Sequence, residues 1–284
     1  MRTCLTLIAF IFFIQPCGGG QDRLLEFRHG TIIAWLTAPS RVIIVADSGV
    51  KSEVYGKLSE KACKIVALSP DTIYFYTGNL AQVLDTRTNT EIFSQEHFAR
   101  EAYQNLAGKP RSYQKLVDLG TEFSALVRPK MDEILKIDRD PSQRVGLAGF
   151  ASLDELNHPR LVLVTIPITV RNDGAPASTE APKIFEWPSN KVGTGLTEQN
   201  MPVLEFWVAK TKRAKSAVAK FESSIPTLPK RDLDVYRLIS AAEAALSWEK
   251  NDPSVGPPVD AVVLETGTGI RWVKRKPACD PGEI

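Results

Sequence analysis

Short apolar runs alternate with turn residues in the first part of the chain, a pattern typical of β-strands. Pro39 and Pro70 stand in two of these turns, each beside a serine. The strands predicted from the pattern cover residues 31–36, 42–46, 64–68 and 72–77. Because the turns between them are tight, we expect a meander or a pair of hairpins.

The hydrophobic period then changes to that of helices. Apolar residues recur three and four positions apart over residues 99–106 and again over 116–135, and Pro110 separates the two stretches. Such spacing places the apolar side chains on one face of a helix. The sequence therefore predicts two amphipathic helices.

Strands and helices return in blocks in the second half of the chain. Residues 171–182 are rich in Gly, Pro, Ser and Thr and indicate an exposed loop. The predicted elements around this loop are strands at 145–151, 160–170 and 183–192, helices at about 201–221 and 232–250, and a final hairpin of strands at 259–264 and 269–273.

Blocks of strands and blocks of helices favour an α+β fold over a doubly wound parallel sheet, which needs strict alternation. Two antiparallel sheets with helices packed outside would bury the near-continuous apolar runs. No repeat or linker divides residues 31–276, so we expect one domain there, followed by a tail at 277–284.

The N-terminus differs from the rest of the chain. Arg2 precedes an apolar run at 5–14, and Pro16, Cys17 and three glycines follow. This order indicates a secretory signal peptide over residues 1–20, and hence a secreted or periplasmic protein. The alternatives are an uncleaved membrane anchor, for which the run is shorter than the roughly 20 residues of a membrane span, and a lipid on Cys17, which Pro16 disfavours.

Composition and charge exclude several classes of partner. Hydrophobic residues make up 43% and charged residues 24%, as in ordinary globular proteins. The net charge is only +2, so we expect no nucleic-acid partner. Scattered histidines and the lack of a Cys-x-x-Cys motif predict no metal site, and no motif calls for a cofactor.

Two cysteines, Cys63 and Cys279, remain once a signal peptide has removed the others. A single disulfide between them is compatible with an oxidising compartment. The sequence gives no sign that the two residues meet, so we expect two unpaired thiols, with the disulfide as the alternative.

Several short motifs, in order and at matching spacing, resemble proteasome β subunits of the N-terminal-nucleophile (Ntn) hydrolase family. The resemblance covers residues 30 to about 275. Its pieces are HGTII at 29–33, VIIVADS at 42–48, KIVAL at 64–68, YTG at 76–78, VGTG at 192–195 and NDPSVG at 251–256. None of these pieces is specific alone. The resemblance implies a four-layer αββα sandwich of two antiparallel sheets flanked by helices.

The resemblance also implies a nucleophile, Thr31, freed by self-cleavage after Gly30, which makes residues 21–30 a propeptide-like segment. A threonine hydroxyl needs a base, and the freed α-amine of Thr31 can serve. The ammonium of Lys64 would favour the neutral amine and the alkoxide. Asp47, sixteen residues after Thr31, would orient that lysine. The amide of Gly78 would stabilise the oxyanion.

Thr194 and Asp252 are the remaining implied catalytic residues, which would support the amine of the nucleophile. The chain departs from the family at several positions. Gly49 replaces an arginine, Asn79 replaces a second glycine, and Ser254 lies one position from the expected serine. These departures affect the predicted turnover and substrate pocket more than the predicted fold.

The function predicted from these residues is an exported threonine-type amide or peptide hydrolase. One rival is a catalytically inactive Ntn-fold protein that binds or assembles, and another is an acylase of non-peptide amides. The predicted partner is a peptide or small amide substrate. No ATPase is expected outside the cell, and the sequence leaves a homo-oligomer open.

Overall fold

The computed structural model describes residues 25–29, 32–52, 56–59, 63–78, 82–86, 88–137, 146–170, 176–187, 191–196, 223, 230–248 and 258–279. The helices are α1 Gln95–Asn105, α2 Tyr113–Leu135 and α3 Leu233–Trp248. The strands up to α1 are β1 Leu25–His29, β2 Ile32–Ala38, β3 Arg41–Ala46, β4 Val50–Ser52, β5 Gly56–Ser59, β6 Ile65–Ser69, β7 Thr72–Gly78, β8 Gln82–Asp85 and β9 Thr90–Ser94. The strands after α2 are β10 Gly146–Leu153, β11 Pro159–Thr165, β12 Ile168–Thr169, β13 Ser178–Thr179, β14 Lys183–Glu186, β15 Lys191–Leu196, β16 Asp260–Glu265 and β17 Gly269–Lys274.

The strands form three five-stranded antiparallel sheets and one two-stranded ribbon, β12–β13. Sheet I has the order β5-β4-β1-β8-β9, sheet II has β14-β11-β10-β7-β6, and sheet III has β15-β2-β3-β16-β17. Antiparallel sheets with segregated helices make this an α+β fold, as the sequence predicted.

Sheets II and III pack face to face around one hydrophobic core. Ile44 of β3, Phe75 of β7 and Leu163 of β11 are among its fully or almost fully buried residues. The intervening residues of β3, Ile43 and Val45, pack on α3 instead. Strand β3 is therefore buried on both faces, which explains its uninterrupted run of apolar residues.

Helices α1 and α2 cover the other face of sheet II. Ser94 and Ser112 accept N–H groups at the starts of these helices, as N-cap residues do. Gly120 of α2 lies so close to the sheet that a Cβ there would be 2.9 Å from a methyl carbon of Val164. None of the helices that the structure describes is both long and apolar enough to cross a membrane.

Most predicted elements are present with ends shifted by a few residues, but two predicted strands are each divided in two. Residues 160–170 contain most of β11, in sheet II, and all of β12, in the two-stranded ribbon. Residues 183–192 form two strands: β14 pairs with β11 in sheet II, whereas β15 pairs with β2 in sheet III. The predicted loop 171–182 contains the short strand β13. The predicted helix at 201–221 lies outside the described residues.

The sequence did not predict sheet I. Strand β1 lies in the segment interpreted as a polar, propeptide-like stretch, and it occupies the centre of the sheet between β4 and β8. Strands β4 and β5 are only three and four residues long, too short for a clear alternation of apolar and polar residues.

The expectation of unpaired thiols was also wrong. Cys63 and Cys279 form a disulfide with their Cα atoms 5.5 Å apart, although 216 positions separate them in the sequence. The pairing follows from tertiary structure, since the chain after β17 returns to the start of β6.

Candidate active site

Two strand ends meet at one end of the sandwich, and each bears one of the predicted catalytic side chains. Asp47 directly follows β3 of sheet III, and Lys64 directly precedes β6 of sheet II. The alternation of faces along a strand stops at its end, so both side chains can turn toward the space between the sheets.

Lys64 and Asp47 form a buried ion pair. The Lys64 Nζ donates to Asp47 Oδ1 at 2.5 Å, and both side chains are 0% exposed. The second carboxylate oxygen, Oδ2, accepts the backbone N–H of Gly49 at 2.9 Å. Thus Gly49, two residues after Asp47, supplies a backbone donor to its carboxylate.

The desolvation of two charges is costly, and it is offset only when the pair has good geometry and further hydrogen bonds. Lysines are therefore almost never fully buried unless they are paired, at the start of a strand or elsewhere. Its burial is the feature by which Lys64 differs from an ordinary solvated lysine.

Strand β7 lies beside Lys64. The N–H of Tyr76 donates to the carbonyl oxygen of Lys64 at 3.2 Å. Burial raises the pKa of the Tyr76 phenol, and the negative charges of Glu96 and Asp47 raise it further. The phenol therefore stays protonated at neutral pH.

Backbone register locates two more of the predicted residues. Gly78 is the last residue of β7 and pairs with Gly146, at the same end of sheet II as Lys64. Thr194 lies in β15 and pairs with Ala34 of β2. Their catalytic roles stay predictions.

Gly30, Thr31 and Asp252 lie outside the described residues, so no contact is assigned to them. Around Thr31, the structure describes the chain up to His29 and again from Ile32. Ile33 pairs with Ala46, which places the start of β2 and the end of β3 at the same end of sheet III. Strand β2, which begins one residue after Thr31, thus starts at the end of sheet III at which Asp47 lies.

Before Thr31, β1 pairs with β8 over residues 25–28 and with β4 at its last two residues. Arg28 pairs with Ser52 of β4 and with Gln82 of β8, and His29 pairs with Lys51. An extended segment that pairs with β8 and then with β4 therefore ends at His29, one residue before Gly30.

The sequence analysis missed a second buried ion pair near the first. Lys276 Nζ lies 2.7 Å from Asp260 Oδ2, and Asp260 pairs with Ala46, the neighbour of Asp47. Nearby, the Ser48 hydroxyl donates to the Pro258 carbonyl. No sequence signal marks Lys276 as buried. The one signal that could have placed its segment near Lys64 was the pair of remaining cysteines, Cys63 and Cys279, in a chain predicted to be exported.

Within the described part of the chain, no group of three or more His, Cys, Asp or Glu side chains is arranged to hold a metal ion.

Comparisons with known proteins add little to this geometry. No family model matches the chain, and no curated protein matches it in sequence. Among solved structures, it is similar to the Anbu (Gly-1) mutant from Hyphomicrobium sp. strain MC1. The identity is 15%, the match covers 87% of this chain and 86% of that chain, and the TM-score is 0.49. At that identity and score, the likeness carries no conclusion about activity.

Proposed function

We propose that this protein is an exported threonine-type amide hydrolase with the four-layer αββα sandwich of proteasome-like Ntn hydrolases, and that Thr31 is its nucleophile. The observation that supports the proposal most strongly is the fully buried Lys64–Asp47 ion pair. A lysine is kept charged in such a place only by a partner carboxylate, and a fixed positive charge is what an N-terminal threonine nucleophile needs beside it.

In the proposed mechanism, the α-amine of processed Thr31 takes the proton of its own hydroxyl as the oxygen attacks an amide carbonyl. The N–H of Gly78 stabilises the oxyanion. The amine then returns the proton to the leaving nitrogen, and an ester to Thr31 remains. A water molecule then gives a proton to the amine as it attacks the ester, and the amine passes that proton to the departing Thr31 oxygen, which releases the acid. Thr194 and Asp252 support the amine.

The substrate class that fits best is an extended peptide. The segment just before Gly30 forms β1, which pairs with β4 on one side and with β8 on the other. Main-chain pairing of this kind binds peptides with little regard to sequence. A small non-peptide amide, as an acylase would take, has no main chain to pair with these strands.

The same strand supports the rival function. Because β1 is the central strand of sheet I, a chain that is never cleaved would keep β1 between β4 and β8. Such a protein would be a catalytically inactive Ntn-fold protein that binds or assembles. Export directed by residues 1–20 is part of the proposed hydrolase function.

Intact mass of the purified secreted protein distinguishes the two functions. We expect a mature chain that begins at Thr31 and that hydrolyses a fluorogenic peptide amide. The Thr31→Ala variant should keep residues 21–30 and have no activity, whereas Thr31→Ser should be processed and retain partial activity. A stable chain that begins near Gln21 in material that still turns over the peptide would rule out the threonine mechanism.

A further inference from the structure

The C-terminal segment is joined to both strand ends that bear the predicted catalytic pair. Its first link is Lys276, whose N–H donates to Asp260 Oδ1 at 2.9 Å and whose Nζ lies 2.7 Å from Oδ2. The side chains of Lys276 and Asp260 are 4% and 1% exposed. Since Asp260 pairs with Ala46, this link ends beside Asp47.

The second link is covalent. Cys279 is joined by the disulfide to Cys63, the residue immediately before Lys64. The N–H of Cys279 also donates to the Lys276 carbonyl at 3.0 Å, so both links start from a single short turn. We call Lys276 and Cys279, with their partners Asp260 and Cys63, the C-terminal clamp.

The clamp and the Lys64–Asp47 ion pair together form a closed ring of contacts. From Asp47 the ring runs through the paired residues Ala46 and Asp260 to Lys276, and then through Cys279 and the disulfide to Lys64. The direct Lys64–Asp47 contact completes it. The two strand ends belong to different sheets, and the clamp ties them together independently of that contact.

We propose that the C-terminal clamp positions Lys64 for catalysis, so that the hydrolase is fully active only when its disulfide is formed. This proposal rests on the proposed threonine hydrolase function. The clamp residues are positioning residues, because they act on the reaction through Lys64 and not on the substrate.

The reason is the precision that the mechanism requires. A displacement of about 1 Å in a group that helps the reacting atoms can cost about 100-fold in rate. Lys64 precedes β6 and therefore lacks full strand pairing, and a long lysine side chain has several rotatable bonds. Without the disulfide, the backbone at Cys63 loses its covalent link to the segment that holds Asp260.

A dithiol reductant tests the clamp reversibly. Dithiothreitol gives two electrons and two protons to the Cys63–Cys279 bond, which becomes two thiols, while the reagent closes to a cyclic disulfide. Both cysteines are partly exposed, so a small reagent can reach them. Oxidised glutathione takes the electrons and protons back and yields two reduced glutathione molecules.

The experiment compares the oxidised, reduced and reoxidised mature protein on a fluorogenic peptide amide, with thiols counted by titration. We expect reduction to lower kcat by about 10- to 100-fold, with little change in KM, because substrate main-chain pairing does not involve the clamp. Reoxidation should restore kcat. The Cys63→Ser/Cys279→Ser double variant should match the reduced protein, and circular dichroism should show that both remain folded.

Lys276 variants distinguish positioning from a general loss of stability. Lys276→Met should lower kcat in the same way, and the conservative Lys276→Arg should retain most of it. An unchanged kcat in protein with two titrated thiols would overturn the proposal. So would a loss of kcat only in those variants that unfold at the assay temperature.

A measurement independent of turnover separates this proposal from the proposed function. Lys64 is fully buried, so acetic anhydride should label it only after reduction, while the exposed Lys109 should be labelled in both states. If oxidised protein whose chain begins at Thr31 has no turnover, the proposed hydrolase function is contradicted. If Lys64 stays protected from acetylation after reduction, the clamp proposal is contradicted, whatever the turnover.

Discussion

Lys64 and Asp47 show how strongly one residue depends on its partner when both are buried. Each charge has left water, and each has the other as its ion-pair partner, while Asp47 also accepts the N–H of Gly49. A buried pair replaced by neutral side chains often costs little stability, whereas the loss of one member leaves an unpaired buried charge. Stability and catalysis should therefore respond differently to single and double substitutions.

We predict that Lys64→Met lowers the free energy of unfolding by about 3–5 kcal/mol, because it strands the Asp47 carboxylate. The double variant Asp47→Asn/Lys64→Met should regain most of that loss. Neither variant should process itself or turn over peptide, because both lack the positive charge. Urea denaturation and intact mass provide the measurements.

A matched control is Asp232→Asn, which breaks the 2.6 Å ion pair between Arg271 and Asp232. This pair lies near the opposite end of β3, because Arg41, the first residue of the strand, donates to the carbonyl of Arg231. It should lower stability and leave processing and turnover near wild type. If Lys64→Met also kept wild-type turnover, Lys64 would have only a structural role.

At the scale of elements, sheet II owes its close packing to a glycine in β10. Gly149 pairs with Phe75 of β7, and the phenyl ring lies over the glycine backbone. A Cβ at this position would overlap the ring, and Phe75 is 0% exposed, so the ring has little room to move. The glycine here is required by a close approach and not by a turn.

We predict that Gly149→Ala destabilises the protein by about 1–3 kcal/mol, the usual cost of excess volume in a packed core. Gly108→Ala is the control, since nothing lies within 4 Å of the Cβ it would add. Thermal and urea denaturation of both variants test the prediction. Equal stabilities would mean that β7 and β10 separate at low cost.

At the scale of the whole molecule, the disulfide joins parts of the chain that the strand pairs do not connect. It closes a loop across 216 positions of sequence, which includes most of sheets II and III. A cross-link over so long a loop stabilises a protein chiefly by restricting the unfolded chain, in the entropic account.

We predict that Cys63→Ser/Cys279→Ser lowers the free energy of unfolding by about 2–4 kcal/mol relative to the oxidised protein. Reduced wild-type protein should have the same stability as the double variant, because both lack the cross-link. Equilibrium urea denaturation with and without reductant measures this. A double variant as stable as the oxidised protein would show that the folded state gains nothing from the cross-link.

Periodicity in the sequence was sufficient to predict the elements with long, regular patterns. Helix α2 has one apolar stripe along 23 residues, and β3 is apolar from Val42 to Ala46, so local pattern and burial agree. The short strands β4 and β5 were missed because they are too short for a clear alternation of apolar and polar residues, and strand β1 was missed because its pairing depends on neighbours distant in sequence. The division of 183–192 between two sheets was missed for the same reason.

For the candidate site, the sequence by itself determined the residue types, their order and the spacing from which Asp47 and Lys64 were proposed. Only the tertiary structure decided that these two side chains contact each other away from water, and that Lys276, Asp260 and the disulfide link the two strand ends that carry them. Burial and ion pairing depend on which strand ends converge, and this convergence is set by the packing of sheets II and III. No local pattern of residues encodes it.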